Sequence, residues 1–236
     1  MKTRFWEIDS LRGLAILMMI SFHFLYDLNF FGNYNFNLHS GFWWLFARIT
    51  AAIFILLVGI SLTISYSRTK APFTKYLKRG LKIFSWGLLI TIATFIFLRN
   101  GFIIFGVLHF IGIAIIIAYP LIRLRIKNLI LGIFFILIGI YLSAFTFNFP
   151  YLLWLGLTPA SFYTFDYFPI LPWFGVILIG IFLGNKLYPN AKRSFNIIDL
   201  SKLRIIKLLS FLGRHSLFIY LLHQPVLIAL LYLFVL

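Results

Sequence analysis

The chain has 236 residues, 62% of them hydrophobic and only 11% charged, with a net charge of +16 and no cysteine. A soluble globular domain carries about 25% charged residues, so a water-soluble fold is excluded, and the lack of cysteine excludes disulfides, thiol nucleophiles and thiolate metal sites. The positive charge reads as basic loops held at an anionic membrane face, with no nucleic-acid partner expected.

Lys2 and Arg4 precede the first apolar stretch, but no small-residue cleavage site follows, so residues 11–31 read as a retained first helix rather than a signal peptide. Further apolar stretches follow at 43–66, 81–98, 102–122, 128–147, 169–188 and 216–236. Each approaches the roughly 20 residues that cross a bilayer as a helix. The expected fold is an all-α, polytopic membrane helix bundle of about seven transmembrane helices, a single domain over residues 1–236. Residues 150–169 are apolar but broken by Pro and Gly, and read as an interfacial or re-entrant loop.

If the seven stretches alternate, every Lys and Arg except Arg48 and Arg99 falls on one side. The positive-inside rule makes that side cytoplasmic. The expectation is a multi-pass protein of the cell membrane, its N-terminus in the cytoplasm and its C-terminus outside.

Ionisable groups at membrane depth are costly and mark sites, and the chain has only five acidic residues and five histidines. Helical periodicity puts Asp9, Arg12, His23 and Asp27 on one stripe of the first helix, which must face protein or water. His23 and Asp27 are one turn apart, so the carboxylate could fix the imidazole tautomer and raise its basicity, or the two could be a buried packing pair. His39 follows in the first outer loop, beside Gly41, Trp43 and Trp44, where a solvated histidine in an aromatic belt is the alternative. Arg48 either snorkels to the interface or pairs with an oxyanion or carboxylate. His109 lies among glycines that permit close helix packing, and His223, followed by Gln224 and Pro225, interrupts the last span. Each of these two fits packing and a site equally well.

The sequence contains no H-E-x-x-H, G-x-S-x-G, P-loop or dinucleotide fingerprint, which leaves hydrolase, nucleotide-triphosphatase and Rossmann readings without support. The opening Arg4-Phe-Trp-Glu-Ile-Asp9-Ser-Leu-Arg12-Gly13 resembles that of the heparan-alpha-glucosaminide N-acetyltransferase catalytic-domain family. Phe105 to Gly112 and Pro169-Ile-Leu-Pro-Trp173-Phe-Gly175 are similar to its small prokaryotic branch, and the likeness runs nearly end to end. Arg12 and His23, and the terminal Tyr220, His223 and Pro225, also resemble signatures of the wider acyltransferase-3 group of transmembrane acyltransferases.

The resemblance implies transfer of an acyl group, acetyl from cytoplasmic acetyl-CoA, to an amine or hydroxyl of an extracytoplasmic sugar or glycolipid, with no metal. It implies His23 with Asp27, or His39, as the base: the lysosomal members use a histidine in the first outer loop, matched here by His39, and the acyltransferase-3 enzymes use the one matched by His23. Arg12 and Asp9 would order the cytoplasmic entrance, with Arg48, His109, Trp173, His223 and Gln224 toward the substrate. The CoA phosphates would sit on Lys75, Lys78 and Arg79. The larger family members have more spans and a longer outer region, so the acceptor here could be a smaller or lipid-linked one, and two copies of the chain could together enclose the site. Rival readings are a transporter or flippase of a small anionic or glycan-lipid substrate, and a non-catalytic scaffold whose polar stripe serves packing.

Overall fold

A computed structural model describes residues 4–32, 34–98 and 100–234; Lys2 and Arg99, which enter the orientation argument, lie outside the described residues. The protein is 73% helical, with no strands among the described residues. Among the described residues eight α-helices follow in order: α1 Trp6–Phe31, α2 Gly41–Thr69, α3 Phe73–Leu98, α4 Val107–Ala118, α5 Ile126–Leu142, α6 Ile170–Leu187, α7 Arg204–Arg214 and α8 Ser216–Phe234.

Five of these, α1, α2, α3, α6 and α8, are long and apolar enough to cross a membrane. The stretches at 102–122 and 128–147 give shorter apolar helices, α4 with the 3-10 turn after it and the 17-residue α5. The reason lies in the residues beside them. Residues 101–105 are drawn into an extended pairing with 165–168: Phe165 N–H donates to the Gly101 carbonyl at 2.9 Å and Phe168 N–H to the Phe105 carbonyl at 3.0 Å. The Asp166 carboxylate then accepts the Val107 N–H at 3.0 Å, so α4 starts there and no earlier. The loop over 150–169 is thus tied down by backbone bonds. Its Tyr167 hydroxyl donates to the Leu153 carbonyl at 2.7 Å, and burial pushes that phenol up to about 12, which keeps it a donor.

The chain divides into two compact units, one from Met1–Phe54 with Ile197–Leu236 and the other from Ile55–Asn196. In the first, α1 packs against α7 and α8. Helix α1 begins several residues before its apolar stretch, and its polar first turns are covered: Glu7, Asp9 and Ser10 are all buried. The cover is α7, whose Ser210 hydroxyl donates to the Trp6 carbonyl and whose Gly213 lies against the Asp9 carbonyl.

In the second unit α3 packs on α4 and α5 on α6. Its core is formed by Phe110, Ile115, Phe174, Ile177, Leu178 and Ile181, each at most 1% exposed. Lipid offers helices no hydrophobic incentive to associate, so small residues that let backbones touch carry the packing. A Cβ on Gly175 of α6 would fall 2.4 Å from the Gly132 carbonyl oxygen of α5. Where α2 meets α6, the Thr63 hydroxyl reaches the Gly59 and Ile181 carbonyls, each at 3.3 Å.

Candidate functional site

The polar stripe of α1 separates into two places. At 1.5 Å per residue, Asp9 and Asp27 are about 27 Å apart along the helix, close to the thickness of a hydrocarbon core. At the first end Asp9 is paired: Arg12 Nη1 donates to its Oδ1 at 3.2 Å, and the Arg4 guanidinium lies 3.7 Å from its Oδ2. Arg12 and Asp9 therefore form an ion-paired, α7-covered end of the helix, away from His23 and Asp27.

At the other end α1 and α8 bring four side chains together. Asp27 is only 1% exposed, and Gln224 Nε2 donates to its Oδ1 at 2.6 Å. The rings of His23 and His223 meet edge to face with centroids 4.9 Å apart. Sequence spacing allows Asp27 either to hold His23, its neighbour one turn back, or to pack with it. The carboxylate's partner is instead Gln224, and what His23 touches is the second histidine. Helical spacing cannot reveal this, because α8 lies almost two hundred residues further along the chain.

The hydrogen-bonding character of this cluster follows from its partners. A carboxylate accepts, so the Gln224 amide must turn its NH2 toward Asp27, which leaves Oε1 on the other side. His223 Nδ1 lies 2.5 Å from the Tyr220 carbonyl, also an acceptor, so Nδ1 carries the proton and Nε2 of the neutral ring offers a lone pair. Asp27 Oδ2, Gln224 Oε1 and His223 Nε2 are all buried, and none has a hydrogen-bond partner among the described residues. Buried polar atoms are almost always paired. Three unsatisfied buried acceptors beside His23 make a site shaped for a ligand group that donates.

His39 is exposed on the loop that follows α1, its ring 6.4 Å from that of Tyr26, next to Asp27 in sequence. The loop is held by Asn29, whose Nδ2 donates to the Phe36 carbonyl at 2.7 Å and whose Oδ1 accepts the Phe36 N–H at 2.9 Å, and by buried Leu38. His39 thus stands on the same end of α1 as the cluster. Arg48 is exposed, with its guanidinium 4.9 Å from the Trp44 ring one turn earlier on α2, the posture of a snorkelling interfacial arginine.

The remaining expected residues belong to the second unit. His109, at 2% exposure, has both ring nitrogens engaged: Nδ1 accepts the Gly106 N–H at 3.2 Å and Nε2 lies 3.3 Å from the Thr91 hydroxyl, which itself donates to the Ile103 carbonyl. It fastens the start of α4 to α3. His109→Ala should lower the stability of the purified protein by about 2 kcal/mol, the cost of stranding the buried Gly106 N–H and emptying the ring's volume, seen as a drop in the detergent unfolding midpoint. Trp173 is buried in α6, its ring 4.9 Å from that of Phe168. Lys75, Lys78 and Arg79 are exposed on the first turns of α3, and Lys75 Nζ donates to the Thr69 hydroxyl at 3.4 Å. Sequence reasoning missed α7 and the role of the Tyr220 carbonyl. Alternating apolar and basic residues in Arg204-Ile-Ile-Lys-Leu-Leu signal the former, and nothing local signals the latter.

Comparison with known families gives one match. The family described as "Heparan-alpha-glucosaminide N-acetyltransferase, catalytic" fits residues 4–225. No curated protein and no solved structure matches the chain.

Proposed function

The chain belongs to the heparan-alpha-glucosaminide N-acetyltransferase catalytic-domain family, and from that premise we propose that it moves an acetyl group from acetyl-CoA to an amine or hydroxyl of a sugar or glycolipid. The observation that carries this reading is the three unpaired buried acceptors of Asp27, Gln224 and His223 beside His23. An amine or hydroxyl brings the donors those atoms lack. A phosphate or carboxylate would set acceptors against acceptors.

In the reaction the acceptor's N–H or O–H is held by Asp27 Oδ2 and Gln224 Oε1. Its proton passes to a histidine, His23 in the cluster or His39 on the loop, as the nitrogen or oxygen attacks the thioester carbonyl. A new C–N or C–O bond forms, the C–S bond breaks, and CoA leaves as its thiol once the proton is returned. His223, locked by the Tyr220 carbonyl in the form with a free Nε2, orients the acceptor. Lys75, Lys78 and Arg79 take the phosphates of acetyl-CoA, since exposed cations on the first turns of a helix attract anions. Under this reading the N-terminus is cytoplasmic, α4 and α5 cross with the five longer helices, and the C-terminus is extracytoplasmic.

Calorimetry on the full chain in detergent tests the donor. Acetyl-CoA should bind wild type with micromolar affinity and bind a Lys75→Glu, Lys78→Glu, Arg79→Glu variant at least about tenfold more weakly, the effect of losing charge-assisted phosphate contacts. Undiminished binding by that variant would remove the phosphate site from α3. No binding by folded wild type would remove acetyl-CoA as donor.

A further inference from the structure

Helix α7 has eleven residues and so rises about 16 Å, half of what a bilayer core requires. Being short and carrying Arg204, Lys207 and Arg214 it does not span, yet it is not a polar surface helix. Its inner side, with Ser210 and Gly213, is buried on Trp6, Asp9 and Gly13 of α1. Its outer side presents Ile205, Leu208 and Phe211 on one sector, each more than half exposed, and Leu203 and Ile198 just before the helix are exposed as well. An apolar face of this kind in water would be an aggregation site.

The cations are arranged around that sector. Lys207 and Arg214 border it along the helix, Lys202 and Arg204 stand at its N-terminal end, and all four are exposed. Asp199 precedes them, and from Leu200 to Leu236 the sequence contains no further Asp or Glu, so the cations outnumber the acids around α7. The α1 segment that α7 covers is the end with Asp9 and Arg12, about 27 Å from the Asp27 cluster along the axis. That places α7 at a membrane boundary if α1 crosses.

We propose that this outer face of α7 is a binding surface for anionic phospholipid. Ile205, Leu208 and Phe211 enter the acyl-chain boundary, and Lys202, Arg204, Lys207 and Arg214 contact the headgroup phosphates, their stems lying along the apolar sector. The charge complementarity selects an anionic lipid over a zwitterionic one. The apolar sector selects a lipid over free phosphate, which has nothing to bury there.

Because the chain has no cysteine, single cysteines can report on α7 in the full protein reconstituted into phosphatidylcholine with or without phosphatidylglycerol. Nitroxide labels at Leu208→Cys and Phe211→Cys should be relaxed by oxygen and protected from a water-soluble nickel chelate, with the reverse at Arg214→Cys. Bound-lipid analysis by mass spectrometry should show wild type enriched in phosphatidylglycerol over phosphatidylcholine. That enrichment should fall at least about tenfold in K202Q/R204Q/K207Q/R214Q, as expected for losing four interfacial cations, with helicity and unfolding midpoint unchanged. Nickel-accessible labels at 208 and 211, labels shielded from both reagents as under a protein partner, or enrichment unchanged in the quadruple variant would each overturn the proposal.

Discussion

Asp27→Asn should lower the kcat/KM of acetyl transfer by roughly a hundredfold to a thousandfold, the range of losing one preorganised hydrogen-bonding group from a site, while the protein stays folded. The carboxylate is buried, with one oxygen accepting from Gln224 and the other unsatisfied. An asparagine is nearly the same shape, so nothing in the packing changes. Its carbonyl oxygen keeps the Gln224 bond, and its NH2 then stands where Oδ2 was, turning an acceptor into a donor where an incoming amine or hydroxyl donates. Replacing a buried charge by a neutral isostere leaves stability the same or higher. Activity and unfolding midpoint therefore move independently, and measuring both on purified variant separates a site role from a packing role. Gln224→Leu, which removes the clamp but leaves the carboxylate, should cost less, about tenfold. Full turnover by Asp27→Asn would remove this cluster from the reaction.

The pattern of apolar runs predicts α1, α2, α3, α6 and α8 because a membrane helix is specified by one local property, length of uninterrupted hydrophobicity. The same property overstates α4 and α5. Phe102 to Phe105 are as apolar as any helical residue in the chain, yet their backbone groups bond to the Thr91, Thr94 and Thr164 hydroxyls and to the Phe168 N–H, and a single carboxylate from Asp166 decides where α4 begins. Composition carries no trace of that long-range pairing. Helix α7 was concealed for the opposite reason: its basic residues make the 186–214 segment look like a loop, although every third or fourth residue in it is apolar.

The site divides the same way. His23 and Asp27 stand out because ionisable residues one turn apart on an apolar helix have few structural reasons to exist. His223 and Gln224 stand out for their place before a proline inside the last span. That the two pairs are one cluster, with Asp27 bonded to Gln224 and the histidines ring to ring, depends on α8 returning to α1, which no spacing encodes. His109 is the converse case. A histidine seven residues into an apolar stretch looks like a site, and the partners on both of its nitrogens give it a fastening role.

Gly213→Ala should be the most damaging single methyl group in the protein. The added Cβ would lie 1.8 Å from the Asp9 carbonyl oxygen and 2.9 Å from the Gly13 nitrogen, and the reciprocal change at Gly13 would put a Cβ 2.0 Å from the Leu209 carbonyl oxygen. These neighbours are backbone on both sides, so no rotamer change relieves the overlap and the helices must separate. Separation loosens the packing around Glu7, Asp9 and Ser10, which are buried at the end of α1 that α7 covers. Overpacking of flexible side chains costs about 1–3 kcal/mol; here the cost should exceed about 3 kcal/mol, read as a large fall in the denaturant midpoint in detergent. Since Gly13 and Gly213 meet at one crossing, the double variant should be far less than additive, the second methyl entering a gap the first has opened. Strict additivity would mean the two glycines serve separate contacts. The loss should also differ in kind from that of Asp27→Asn: activity and stability fall together, because α7 holds the end of α1 opposite the cluster and contributes no group to it.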